Sequence, residues 1–168
     1  QGTVPNDLAL NGGDGAPESD VRTMVITGPN TGGKTVLLKT FGLCALMARA
    51  GLHLPVAEGS ELSLLAPVLA DIGDAQDLQQ SLSTFSGHIK RLSAFVAPEA
   101  DLSRALVLLD EIAAGTDPAE GTALARAILK ALYDKGALTV VTTHLGDLKL
   151  EAHERGGYVN ASVAFNAD

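Results

Sequence analysis

The run MVITGPNTGGKT, Met24 to Thr35, decides the fold. Its first four residues are apolar and β-prone, and GPNTGGKT, Gly28 to Thr35, fits the pattern GxxxxGK[ST] of a phosphate-binding loop between a strand and a helix. A glycine-rich turn lets successive backbone N–H groups face one anionic centre, and the helix that follows adds the positive end of its dipole. Gly33 permits close backbone approach, Lys34 is placed to reach the β and γ oxygens of a nucleotide, and Thr35 offers a hydroxyl to the Mg²⁺ that bridges them. From Thr35 to Ala50 the chain runs on without proline as a helix-compatible segment.

Bulk properties narrow what surrounds this loop. With 168 residues, 46% of them hydrophobic and few aromatic, the chain suits one α/β domain with a substantial core. Its formal charge of −8 repels phosphate backbones, so nucleic-acid contact is expected to need other domains. Cys44 is the only cysteine, which excludes an intrachain disulfide and fits a buried thiol in a reducing, cytoplasmic setting. No apolar run reaches membrane-spanning length and the N-terminus lacks a basic-then-apolar order, so a soluble protein with no membrane partner is expected.

Either side of the loop, the pattern alternates strands and helices. Asn11 to Asp20 packs glycine, proline and acids into a turn-rich run that suggests a mobile hairpin loop, and Val21 to Thr27 reads as the first core strand. Val36, Leu37, Phe41, Leu43, Leu46 and Met47 recur at helical spacings and are expected to be largely buried. Glu61 to Leu65 and Val68 to Ile72 fit a strand pair or strand-loop-strand. Asp74 to Ala97 starts polar and becomes helical, with Ser83 or Ser86 as cap and Ile89, Leu92, Phe95 and Val96 on one face. ALVLLDE from Ala105 reads as a strand buried on both faces, its end beside the phosphate loop. A helix follows with Asp117 as cap, Pro118 at its first position and Gly136 as its stop. Ala137 to His144 is a further buried strand, LGDLKLEAHE a short helix, and Tyr158 to Phe165 a final alternating strand.

The strand ends carry the remaining chemistry. Asp110 is expected to orient Mg²⁺ or its water, and Glu111, pointing the other way, to face the attacking water as general base. His144, at the end of the next buried strand, could sense the γ-phosphate or that water. His53, His88 and His153 form no metal-site spacing.

Taken together and in order, ITGPNTGGKT, QSLSTFSGH, LVLLDEIAAGTDPAEG and VVTTHLGDLK resemble the ATPase domain of the MutS family, and most of all its second bacterial branch, implicated in suppressing recombination. GTDPAEG, Gly115 to Gly121, favours that branch, since mismatch-repair relatives usually carry an arginine where Ala114 stands and a serine-threonine pair in place of Asp117 and Pro118. Those relatives also place an aromatic near Thr3 to stack on adenine, which Thr3 cannot do. The resemblance implies an α/β fold of the P-loop NTPase, ABC-ATPase-like kind. Its sheet would be mostly parallel, flanked by helices, with a small antiparallel N-terminal part.

It further implies that residues 1–168 are one such domain, truncated at its C-terminus, with the clamp and a Smr nuclease domain elsewhere. Gly28, Pro29, Asn30, Thr31, Gly32, Gly33, Lys34, Thr35 and Val36 would form the ATP loop, with Thr35 and Asp110 on Mg²⁺, Glu111 as hydrolytic base and His144 as switch residue. Ser83 and Thr84, within LSTFS, would cap the γ-phosphate of an opposing subunit, giving a homodimer with two composite ATP sites. The partner of the whole protein would be branched or duplex DNA, or a ribosome. Two other readings stay open on the residues: an ABC-type transporter ATPase, whose LSGGQ signature is replaced here by STFS, and a non-catalytic nucleotide-binding module, against which Glu111 and His144 argue.

Overall fold

Alternate residues along three adjacent strands split the interior into two apolar layers. In a computed structural model the chain forms, in order, β1 (Thr23–Thr27), α1 (Lys34–Arg49), β2 (Val68–Asp71), α2 (Ser81–Phe95), β3 (Leu106–Leu109), α3 (Pro118–Asp134), β4 (Leu138–Thr142), α4 (Gly146–Glu154) and β5 (Tyr158–Ser162). The structure describes residues 7–10, 21–29, 32–73, 81–154 and 156–163, with backbone alone at 81–85 and 151–154. Thr3, the Asn11 to Asp20 run, Asn30, Thr31, the polar start at Asp74 and the end of the last expected strand lie outside them.

Among the described residues the strands form one sheet of order β2-β3-β4-β1-β5, and every pairing is parallel. Side chains alternate faces along a strand, so Met24, Ile26, Leu106, Leu108 and Val140 join Leu38 and Ala45 of α1 in one layer. Val25, Val107, Leu109 and Val141 join Leu92 of α2, Ala125, Ile128, Leu129 and Leu132 of α3, and Leu148 of α4 in the other. Gly42 lets α1 settle on the sheet: a Cβ there would come within 2.6 Å of Leu108 Cδ1. β3 and β4, buried on both faces, are continuous apolar runs for that reason.

Local chemistry sets the helix ends. The Asp117 carboxylate accepts from the Ala119 and Glu120 amides, with Pro118 next in line, so α3 starts where expected. Beyond its end Gly136 takes φ 80° and its amide bonds to the Tyr133 carbonyl. Among the described residues no helix is long and apolar enough to cross a membrane.

Three expectations are corrected. Glu61 to Leu65 is not a strand: Arg104 Nη2 donates to the Leu64 carbonyl and the Ala66 amide to the Arg104 carbonyl, so these backbone groups are satisfied outside a ladder, and only Val68–Asp71 pairs, in parallel with β3. α1 is not largely buried through the apolar set named for it. Val36, Leu43 and Leu46 are exposed, while its buried face is Lys34, Leu38, Gly42, Cys44 and Ala45, because small residues are what close approach to the sheet admits. Ser83 and Ser86 do not begin α2 but lie within it, since the helix already starts at Ser81. The small antiparallel N-terminal part falls on residues that are mostly outside the described set, and residues 7–10 form no strand.

The two layers give a direct stability contrast. Leu108→Ala is expected to cost about 2–5 kcal/mol by emptying a site that is 1% exposed, whereas Leu43→Ala, at 59% exposure, should change stability by less than about 0.5 kcal/mol. Urea unfolding of the two variants measures the difference.

Candidate functional site

β1 leaves the sheet at Thr27 and the chain turns at once through Gly28, whose φ is 138°. A Cβ at Gly28 would meet the Val163 carbonyl at 2.8 Å, just past the end of β5, so the loop is threaded where only glycine passes. Gly33, at φ 80°, is the left-handed residue from which α1 springs, and it offers no side-chain cap. The first amides of α1 are therefore left without a capping side chain at its positive end.

Lys34, the first residue of α1, is 2% exposed. Its Nζ donates to the Gly28 carbonyl at 2.6 Å and lies 3.8 Å from Glu111 Oε1, so the buried ammonium folds back over the loop toward an acid. The Thr35 hydroxyl donates to Asp110 Oδ2 at 2.7 Å. From the neighbouring strand the Thr142 hydroxyl donates to Asp110 Oδ1 at 2.6 Å and accepts the Glu111 amide at 2.9 Å. Sheet order puts β4 between β1 and β3, so the end of β3 is not the strand neighbour of the loop; Asp110 nevertheless reaches Thr35.

The two acids diverge as their adjacency requires. Asp110, 9% exposed, faces the two threonine hydroxyls, while Glu111, at φ 49°, turns its carboxylate toward Lys34 and His144. His144 Nδ1 lies 2.7 Å from Glu111 Oε2. An ionised carboxylate only accepts, so this bond puts a proton on Nδ1 and leaves Nε2 directed away from Glu111. Lys34, Thr35, Asp110, Glu111 and His144 are thus brought together, and Gly28, Gly32 and Gly33 frame them. Val36 is in the same turn of α1 but is 66% exposed. Pro29 is exposed and its carbonyl accepts the Gly32 amide.

Ser83 and Thr84 are not part of this cluster. They sit in the first turn of α2, which packs on β2 at the far edge of the sheet. Strands are spaced about 4.8 Å apart, so the three steps from β1 to β2 separate that edge from the loop strand by about 14 Å. Thr142 was not singled out by sequence reasoning. Its signal was present in VVTTH, a hydroxyl at the polar end of an apolar strand parallel to the one ending in Asp110. Among the described residues no group of three His, Cys, Asp or Glu side chains gathers as a metal site. The Thr35 hydroxyl and Asp110 carboxylate are instead a pair of hard oxygen donors, which suits an ion such as Mg²⁺ that takes one or two protein ligands and otherwise water and phosphate.

A parallel sheet with helices on both faces and its acids, lysine and histidine gathered at the carboxyl edge defines an α/β protein with a site outside its strand ends. The family model described as MutS domain V matches residues 24–167, and the chain belongs to that family. It is 53% identical over 165 residues to the protein named Endonuclease MutS2 of Geobacillus kaustophilus (strain HTA426), covering 98% of this chain and 20% of that protein. The protein of the same name from Pelotomaculum thermopropionicum is 54% identical over 164 residues, again 98% of this chain and 20% of the relative. That of Thermomicrobium roseum is 60% identical over 145 residues, 86% of this chain and 18% of the relative. The chain spans about a fifth of the length of these curated relatives.

Thr142→Val is expected to lower stability by about 1–3 kcal/mol, because it leaves the buried Asp110 Oδ1 and the Glu111 amide without their shared partner. Thr142→Ser, which keeps the hydroxyl, should recover most of the loss in the same denaturant titration.

Proposed function

We propose that this chain binds ATP with Mg²⁺ and hydrolyses it, as the ATPase part of a dimeric DNA-processing protein of the MutS family, with a P-loop NTPase fold. The observation that carries the reading is the division of two adjacent acids: Asp110 toward the hydroxyls of Thr35 and Thr142, Glu111 toward Lys34 and His144.

Lys34 is buried, with the Gly28 carbonyl at 2.6 Å and the Glu111 carboxylate at 3.8 Å, which keeps its ammonium beside the loop where a polyphosphate would sit. Gly28, Pro29, Asn30, Thr31, Gly32 and Gly33, with the N-terminus of α1 and Val36 in its first turn, would serve as the loop for the same phosphates. Thr35 and Asp110 would hold Mg²⁺, which when bound neutralises charge on the β and γ oxygens. Asp110 is kept in place for this by Thr142 from β4. Glu111 takes the proton of the attacking water, and His144 fixes the direction of the Glu111 carboxylate.

The distance of α2 from the loop strand supports a composite site, in which the first turn of α2, with Ser83 and Thr84, serves the nucleotide of a second subunit. The relatives are named as endonucleases, so DNA is the substrate class proposed for the whole protein. Its contacts would lie in segments other than this acidic one.

Two measurements test the assignment. Lys34→Ala should abolish binding of a fluorescent ATP analogue, while Glu111→Gln should keep that binding and slow turnover roughly 10²- to 10⁴-fold. Unchanged affinity in the first variant, or unchanged turnover in the second, would remove the proposed roles. In a gel shift at physiological salt, the 168-residue chain should bind duplex or branched DNA no more tightly than about 1 µM, because twenty acids face twelve bases.

A further inference from the structure

Asp71, the last residue of β2, is 5% exposed, and its two carboxylate oxygens and its carbonyl are all committed. Its carboxylate accepts from Arg91 Nε at 2.7 Å and pairs with His88 Nδ1 at 2.7 Å, one oxygen for each. His88 and Arg91 are three residues apart on α2 and so share a face of that helix. Its carbonyl accepts the amide of Asp110 at 2.9 Å. One residue therefore grips α2 with its side chain and Asp110 with its backbone.

The lever this makes has a direction. Leu92 of α2 is in the core layer against which Leu69 of β2 packs, and His88 meets Asp71 at the carboxyl end of β2, so α2 runs back down the strand from that edge. Thr84 lies four residues before His88, about 6 Å along the helix axis. The first turn of α2 is thus held beyond the sheet edge, cantilevered from the Asp71 clamp. A buried carboxylate with two cationic or polar donors is also an orientation device, since loss of either partner leaves the other underpaired.

We propose that Asp71 is a positioning residue that ties the first turn of α2, with Ser83 and Thr84, to Asp110, so that occupation of the site in one subunit is transmitted to the α2 surface offered to the other. This rests on the composite-site reading above. A displacement of Asp110, whose carboxylate Thr35 and Thr142 hold and whose amide bonds to Asp71, moves the Asp71 carbonyl and with it the clamp on His88 and Arg91. His88 and Arg91 act on Asp71, and Arg91 Nη2 lies 3.1 Å from His88 Nδ1, so their effect on turnover would run through Asp71.

Asp71→Asn keeps the shape and the backbone bond to Asp110 but removes the charge that pairs with Arg91. Arg91→Ala, at a side chain 52% exposed, reaches the same clamp without risk to the core. In the full-length protein both variants should bind the fluorescent ATP analogue as the parent does, while kcat falls roughly tenfold or more, the scale of one lost charge-assisted hydrogen bond. Unchanged kcat in both overturns the proposal. The decisive arm mixes Asp71→Asn with Lys34→Ala subunits, beside a reference mixture of Ser83→Arg with Lys34→Ala. At equal proportions about half the subunits are in heterodimers, each with one intact loop facing one intact α2. Activity regained in both mixtures is the expected result, and a variant that had only damaged its own loop could not give it. Activity regained in the reference mixture alone overturns the role of Asp71 and leaves the composite site standing. No regain in the reference mixture removes the composite site and this proposal with it.

Discussion

The carboxylate of Asp110 accepts hydrogen bonds from two hydroxyls, one in the first turn of α1 and one at the end of β4, and the arrangement of the whole carboxyl edge depends on that pair of bonds. A carboxylate at 9% exposure must be supplied with donors, and these two come from elements far from it in sequence, β4 beside its own strand and α1 from the strand beyond. Thr142 also takes the amide of Glu111, so the direction of the second acid follows from the anchoring of the first. The bond between Thr35 and Asp110 spans the strand that lies between β1 and β3, which fixes the start of α1 over the middle of the sheet.

Much of this was legible because burial on both faces leaves an unmistakable trace. LVLL and VVT read as interior parallel strands from their unbroken apolar character, and the acid or hydroxyl that ends each run marks the edge where the polar groups collect. Asp117, Pro118 and Gly136 gave α3 its limits through backbone chemistry that needs no tertiary partner. The turn at Gly28 and the start of α1 after Gly33 were readable for the same reason.

What escaped the sequence involves partners that no local pattern names. In α1, apolar size does not mark the buried face. Here the sheet is approached through Leu38, Gly42 and Ala45, and Val36, Leu43 and Leu46 are left outside. Glu61 to Leu65 has a strand-like composition, but its backbone is occupied by Arg104, forty residues away from Leu64. Asp71 gave no sign at all. A single acid at the end of a short strand looks like a solvated terminus until α2 brings His88 and Arg91 to it.

Glu111 occupies a backbone region that a residue with a Cβ enters at a cost on the order of 1–3 kcal/mol, and it is kept there at φ 49° by Thr142, Lys34 and His144. Folding alone would be served better by glycine or asparagine at this position. Laboratory evolution of this chain toward heat resistance, with no demand on turnover, would therefore drift away from glutamate there, and the sturdier descendants would have traded the carboxylate for a relaxed turn.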